Sequence, residues 1–129
     1  MIIVGTGSRD YKSPKAIRKV FTAIKAEFKE FHYKQGGQRG FDQYSDFILR
    51  QLGHTDIQEY KADWDQYGKS AGPIRNHQML DEALATGDMV LVIAMPLDTS
   101  IGTFEMMEYA RSKNVQVRVY DKEGNRLNA

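Results

Sequence analysis

The chain has 129 residues, 41% of them hydrophobic and 27% charged, which suits one globular domain with a single sizeable core. Its 18 basic and 17 acidic residues give a net charge of +1, which argues against a protein whose main role is to coat a nucleic-acid backbone. The absence of cysteine excludes disulfides, thiolate metal sites and cysteine nucleophiles, and fits a reducing cytoplasm. With no signal-peptide pattern and no run of about 20 apolar residues, we expect a soluble cytoplasmic protein.

Apolar runs alternate with helical periodicities along the chain. Strands are predicted at residues 1–4, 32–35, 57–61, 89–95 and 115–120. Helices are predicted from Ser13 and Pro14 to about residue 28, at residues 42–52, from Pro73 onward, and at residues 103–113. This alternation implies crossover connections, so we predict one α/β domain (residues 1–129) with a doubly wound, mainly parallel five-stranded sheet covered by helices on both faces.

Ligands of such sheets bind beyond the carboxyl ends of the strands, where two glycine-rich loops are predicted. The first is GTGSRD (residues 5–10), and the second is GGQRG (residues 36–40), followed by Asp42. Glycines allow backbone amides to approach an anion, and an arginine directly before a helix suits a phosphate or carboxylate. The alternatives are a tight turn with a surface Arg–Asp pair for the first loop and a flexible connection for the second.

Two further loops carry unusual side chains. In the third, at residues 62–76, Trp64 can stack on a base, although a lone tryptophan more often plugs a loop into the core. Arg75 is predicted in the first turn of its helix, where the dipole disfavours a cation, so we expect an anionic partner, either a ligand or a carboxylate such as Asp63. The fourth loop, PLDTSIGT (residues 96–103), offers hydroxyls and amides that suit either an anion or an ordinary helix cap.

Together the four loops predict one ligand-binding cleft at the carboxyl edge of the sheet. Its predicted ligand-binding residues are Gly7, Ser8, Arg9, Gly37, Arg39, Gly40, Asp42, Asp63, Trp64, Arg75, Asn76, Ser100, Gly102 and Thr103. No metal site is predicted, because the three histidines lack metal-ligand spacing and are interpreted as surface residues. No cofactor is predicted either, and the first loop lacks the full GxGxxG spacing of a dinucleotide-binding loop.

The order of these motifs resembles a known family. The motifs are GSR (7–9), GQRGFD (37–42), ADW (62–64), YG (67–68), AGPIRN (71–76) with Met79, and SIGT (100–103), of which AGPIRN is the most specific. They resemble the YspA-like branch of the SLOG superfamily, a group of small bacterial and phage proteins. The superfamily also includes LOG-type nucleoside-monophosphate phosphoribohydrolases and the DNA-processing protein of natural transformation. The resemblance implies a Rossmann-like fold and a site for nucleotides or their derivatives.

The sequence departs from the PGGxGTxxE motif of the LOG-type hydrolases. Met106 stands at the position of the final glutamate, and Glu105 precedes it by one residue, a rotation of about 100° around a helix. Arg75 does match the arginine of the LOG-type helix motif. The resemblance therefore implies Arg75 and Glu105 as candidate catalytic residues, with the glutamate displaced from its expected place.

Three functions follow from these observations. The leading hypothesis is binding or sensing of a nucleotide-derived ligand, such as a nucleoside phosphate, ADP-ribose or an NAD-like molecule. The second is an enzyme that cleaves the N-glycosidic bond of nucleoside monophosphates, by LOG-type or deoxyribosyltransferase-like chemistry, through Glu105, Asp63 or Asp42. The third is an accessory protein that binds single-stranded DNA, which the near-neutral charge disfavours. The sequence leaves open whether a ligand is cleaved or only bound.

A homodimer is also expected. Met79, Met106, Met107 and Tyr109 offer more apolar surface than two helices of a small domain need, and the resemblance implies dimerisation through such helices. The alternative is that all four side chains belong to the core.

Overall fold

The computed structural model describes residues 1–128 and places five strands in one parallel sheet. The strands are β1 (Ile2–Gly7), β2 (His32–Gln35), β3 (Ile57–Glu59), β4 (Val90–Met95) and β5 (Gln116–Val119). Their order in the sheet is β3-β2-β1-β4-β5, and every pairing is parallel. The predicted doubly wound α/β fold is confirmed.

Helices connect successive strands and cover both faces of the sheet. They are α1 (Lys15–Phe28), α2 (Phe41–Gln51), the single-turn α3 (Trp64–Tyr67), α4 (Ala71–Ala85) and α5 (Ile101–Ser112). Alternation along β1 sends Ile3 into the core beneath α1 and α2, while Ile2 and Val4 enter the core beneath α4 and α5. Within residues 1–128, no helix has the length and apolar character needed to cross a membrane.

The order of the strands reverses between β1 and β4, which pair along their whole length from Ile2 and Val90 to Gly7 and Met95. The chain leaves β1 toward the face covered by α1 and leaves β4 toward the face covered by α5. Adjacent connections that depart to opposite faces open a crevice at the carboxyl edge, which is where ligands bind in open α/β sheets.

The segment before α4 is more ordered than its polar sequence predicts. Asp63 caps α3 by accepting a hydrogen bond of 3.1 Å from the backbone N–H of Gln66. A 3-10 turn (Gly68–Ser70) then leads directly into α4, which begins at Ala71 and not at Pro73 as predicted. A proline is tolerated anywhere in the first turn, so it does not mark the first residue of a helix. Arg75 consequently lies in the second turn.

The methionines of α4 and α5 belong to the core. Met79, Met106 and Met107 are all buried against the sheet, and Tyr109 is partly buried beside them. The apolar surface on which the homodimer was predicted is therefore not exposed, and dimerisation stays a prediction without that support.

Candidate functional site

A cleft of about 340 Å³ opens at the carboxyl ends of β1 and β4. Its walls are the loop after β1, the beginning of α2, the α3–α4 segment and the N-terminus of α5. The predicted ligand-binding residues that line it are Gly7, Ser8, Arg9, Asp42, Trp64, Arg75, Asn76, Ser100, Gly102 and Thr103. Further lining residues are Gly5, Thr6, Asp10, Gln38, Gly72, Pro73, Thr99 and Ile101. These additional residues adjoin the predicted ones in the same loops, which is the signal that could have found them.

The guanidinium of Arg75 is buried at the floor of the cleft and held in a fixed position. Its Nη1 donates to the carbonyl of Gly36 (2.6 Å) and its Nε donates to Asn76 Oδ1 (2.8 Å). A Cβ at position 36 would lie 2.6 Å from the guanidinium carbon, so a side chain there would displace the guanidinium. Arg75 is 5% exposed, yet its Nη2 is not sealed from solvent and donates to no acceptor among residues 1–128. This nitrogen remains available to a ligand.

Asp42 is the second buried charge of the cleft and lies in the first turn of α2. Burial raises the pKa of its carboxyl to about 7, although the backbone N–H of Gln38 and the charge of Arg75 act in the opposite direction. Burial also lowers the pKa of the Arg75 guanidinium, an effect that Asp42 opposes. An arginine nevertheless stays charged in a protein. The carboxylate that faces Arg75 is therefore Asp42 and not Asp63, which caps α3.

The N-terminus of α5 carries unused hydrogen-bond donors. The hydroxyl of Ser100 accepts from the backbone N–H of Leu97 (2.8 Å), so it closes the loop and caps no helical amide. In the described part of the chain, the amides of Gly102 and Thr103 donate to no protein acceptor. The first turn contains no acidic residue, and a Cβ at Gly102 would have no atom within 4 Å. Unpaired amides at a helix N-terminus with open space beside them form an anion-binding arrangement.

Trp64 lies at the mouth of the cleft and is 52% exposed. Its ring approaches Gly72 of α4, where an added Cβ would be 3.5 Å from the tryptophan Cη2. The alternative that this tryptophan plugs a loop into the core is wrong. An exposed indole at the rim of a cleft can stack on a planar ring.

The loop Gly36–Gly40 contributes less to the cleft than predicted, since Gly37, Arg39 and Gly40 do not line it. Gly40 has φ +74°, and a Cβ there would lie 2.6 Å from the carbonyl oxygen of Arg9. The side chain of Arg39 is 69% exposed and turns away, with Nε donating to the Arg9 carbonyl at 3.3 Å. The glycines of this loop therefore satisfy backbone geometry and close packing.

Glu105 also lies outside the cleft, because it faces α4. Its Oε1 is 2.6 Å from Nε2 of His77, whose ring stacks on Tyr109 with centroids 3.6 Å apart. The interpretation of all three histidines as surface residues is wrong for His54, which is 4% exposed and stacks on Phe31. Within residues 1–128, no group of three or more His, Asp or Glu side chains is arranged to hold a metal ion.

Comparison with known proteins identifies relatives of the chain. No protein-family model matches it. The X-ray structure of DNA processing protein A (DprA) from Streptococcus pneumoniae superposes with a TM-score of 0.51 at 14% identity, over 89% of this chain and 57% of that chain. The present chain thus spans little more than half of that chain, and the likeness shows a shared Rossmann-like fold. Membership of the SLOG superfamily and of its YspA-like branch stays a prediction. The Gene 61 protein of Mycobacterium phage D29 is 34% identical over 120 residues, which cover 87% of this chain and 90% of that protein. The chain belongs to the same family as this phage Gene 61 protein.

Proposed function

We propose that the protein binds a nucleotide or nucleotide derivative through its phosphate, in the cleft at the carboxyl edge of the sheet. One observation carries the proposal: the unpaired amides of Gly102 and Thr103 share a cleft with the free Nη2 of the buried Arg75. Each of these donors gains a charge-assisted hydrogen bond when an anion binds, and such bonds are about twice as strong as neutral ones.

The remaining lining suits the other parts of a nucleotide. Trp64 presents an exposed ring that can stack on a base at the mouth of the cleft. Asn76 and Asp42 provide polar groups deeper in the cleft that can hydrogen-bond sugar hydroxyls. A cleft of about 340 Å³ is at the small end of the range for ligand pockets, which is roughly 300–1,000 Å³, and favours a mononucleotide-sized group.

Isothermal titration calorimetry with each nucleoside monophosphate and its parent nucleoside tests the proposal. At least one monophosphate should bind about tenfold or more tightly than its nucleoside, because only the monophosphate reaches the amides and Arg75. Equal affinity for the two, or no binding of any monophosphate, would contradict it.

Arg75→Lys isolates the contribution of the guanidinium. Lysine keeps the charge but lacks the planar fork, so monophosphate affinity should fall about tenfold. Arg75→Ala is less informative, because the loss would leave the buried Gly36 carbonyl without its donor. The matched control is Arg111→Lys in the last turn of α5, where the side chain is exposed and outside the cleft, and there the affinity should not change.

Cleavage of an N-glycosidic bond is a second candidate function, favoured by Asp42. A buried carboxyl with its pKa raised to about 7 can donate or accept a proton near neutral pH, and this one lines the cleft. Glu105 contacts His77 and does not line the cleft. Chromatography after prolonged incubation of each bound monophosphate distinguishes the functions. Free base that is released by the wild type but not by Asp42→Asn supports an enzyme, whereas intact ligand supports a binding protein.

A further inference from the structure

We propose that a groove beside the cleft is a second anion-binding subsite, which holds a second phosphate of a dinucleotide whose first phosphate lies at α5. The proposal rests on the proposed function, because it extends the same ligand. The groove has a volume of about 310 Å³ and is lined by Arg9, Tyr11, Lys12, Arg39, Gly40, Gln43 and Tyr44.

The charge of the groove favours an anion. Its lining combines three cations, Arg9, Lys12 and Arg39, and within the described residues it includes no carboxylate. The whole chain has a net charge of only +1, so this is a local concentration of positive charge. Among residues 1–128, the ion pair made by this lining is with Asp10, whose Oδ1 lies 3.4 Å from Arg39 Nη2, and both side chains are well exposed. An exposed pair of this kind is weak and leaves the guanidinium available to a ligand.

Hydrogen bonds link the loop after β1 to the loop before α2 and to α2 itself, and they hold the cations together. Arg39 Nε donates to the carbonyl of Arg9 (3.3 Å), and the Tyr44 hydroxyl donates to the carbonyl of Lys12 (3.4 Å). Gly40 allows the close approach of these loops, since a Cβ there would meet the Arg9 backbone. The loop after β1 and the loop before α2 therefore present their basic side chains on one joined surface.

The groove and the cleft adjoin at Arg9, which belongs to the lining of both. A mononucleotide-sized group fills a cleft of about 340 Å³, so a larger ligand must extend beyond it. Under this proposal, a ligand that extends past Arg9 places its next phosphate beside Lys12 and Arg39, which line the groove. The ligand class that fits both sites is a dinucleotide with two separated phosphates.

The experiment compares a mononucleotide with its dinucleotide by titration calorimetry. The probes are AMP with 5′-phosphorylated pApA, and dTMP with 5′-phosphorylated pTpT. Wild type is compared with the double variant Lys12→Ala/Arg39→Ala, and Arg111→Ala/Lys113→Ala removes the same charge from the exposed end of α5 as the control. All substituted side chains are exposed, so thermal unfolding should show that each variant folds.

In the wild type, the dinucleotide of at least one pair should bind more tightly than its mononucleotide. The groove variant should lose about tenfold in dinucleotide affinity, with mononucleotide affinity within about twofold, and the control should match the wild type. The difference should shrink as salt is raised, because the cations are exposed.

Other outcomes overturn the proposal in distinguishable ways. If mononucleotides bind but dinucleotides bind no more tightly, the second subsite is wrong and the proposed function stands. The same conclusion follows if the variant Lys12→Ala/Arg39→Ala loses mononucleotide and dinucleotide affinity equally. If no probe binds the wild type, the dinucleotide subsite is wrong, whereas the proposed function fails only if every other nucleoside monophosphate also fails to bind. If an oligothymidine of eight residues loses affinity in the groove variant while pTpT does not, the groove serves polynucleotide chains and the dinucleotide assignment is wrong.

Discussion

The N-termini of α2 and α5 look alike in sequence and differ in what their backbone donors do. Both lie at the carboxyl edge of the sheet and have a glycine beside the first helical residue, Gly40 before α2 and Gly102 within α5. At α2, the Phe41 amide donates to the carbonyl of Ser8 (3.0 Å), and Asp42 places its own carboxylate at the helix N-terminus. At α5, the amides of Gly102 and Thr103 have no protein acceptor in the described chain, and no acidic side chain lies in the first turn.

The difference shows that glycine at the beginning of a helix serves two distinct purposes. Gly40 is required by its positive φ and by the Arg9 carbonyl 2.6 Å from its missing Cβ, so the fold itself accounts for it. Gly102 has ordinary backbone geometry and open space around it, so nothing within the fold requires glycine there. A glycine that the fold does not need leaves room for a ligand to approach the backbone.

The largest expected effect separates the two glycines by stability. Gly40→Ala should lower the free energy of unfolding by about 3 kcal/mol or more, because strain of roughly 1–3 kcal/mol adds to a collision with backbone. Gly102→Ala should change it by less than about 1 kcal/mol, with stabilisation expected in a helix. Urea denaturation measures both, and equal losses at the two positions would break the comparison.

The carboxylate at the α2 N-terminus should make stability depend on pH. The pKa of Asp42 is about 7 in the folded protein, against an ordinary value of 3.8. At a pH between these two values, the folded protein therefore keeps a proton that the unfolded chain has lost. Because of this difference at Asp42, the free energy of unfolding of the wild type falls as the pH rises toward 7. The amide introduced by Asp42→Asn cannot titrate, so the stability of this variant relative to wild type should rise by roughly 2–4 kcal/mol from about pH 4 to about pH 8. A difference independent of pH in urea denaturation would show that the carboxyl is not shifted.

A charge placed at the α5 N-terminus should compete with the ligand. Gly102→Asp puts a carboxylate where the phosphate is proposed, and Gly102→Asn is a control of the same size without the charge. Monophosphate affinity should be at least about tenfold weaker in the Asp variant than in the Asn variant. Stability should be equal or higher in the Asp variant, because an acidic residue is favourable at a helix N-terminus. Equal monophosphate affinities of the two variants would contradict an anion-binding site at the N-terminus of α5.

The smallest effect is expected at Glu105. Position 105 lies outside the cleft, and a glutamine there can keep a hydrogen bond to His77. The substitution Glu105→Gln should therefore leave ligand affinity within about twofold of wild type. Calorimetry checks this, and a loss of tenfold or more would return Glu105 to the site.

The sheet was predictable from the sequence because each strand is a short segment next to segments in which apolar residues recur at helical spacing. The weak strand at residues 32–35 coincides with β2, which owes its place to pairing with β1 on one side and β3 on the other. The beginning of α4 was not predictable from Pro73, because the preceding turns depend on the Asp63 cap and lead into the helix two residues earlier.

The candidate site was predictable in its composition but not in which of its loops keeps free donors. AGPIRN and SIGT line the cleft, whereas most of GGQRG turns away from it. The acceptor of the Phe41 amide at the beginning of α2 is the Ser8 carbonyl, which comes from a loop about 30 residues earlier. A sequence pattern of glycines and arginine contains no information about those tertiary partners. The burial of the methionines of α4 and α5 was not predictable either, because helical spacing does not reveal how deeply a helix is buried.

Backbone NMR during titration with a nucleoside monophosphate tests the difference between the two helix N-termini most directly. The amide protons of Gly102 and Thr103 should move downfield and saturate together as they donate to the phosphate, while those of Gly37 and Gly40 stay in place. Saturable shifts at Gly37 and Gly40 with none at Gly102 and Thr103 would contradict the assignment of the anion site to α5.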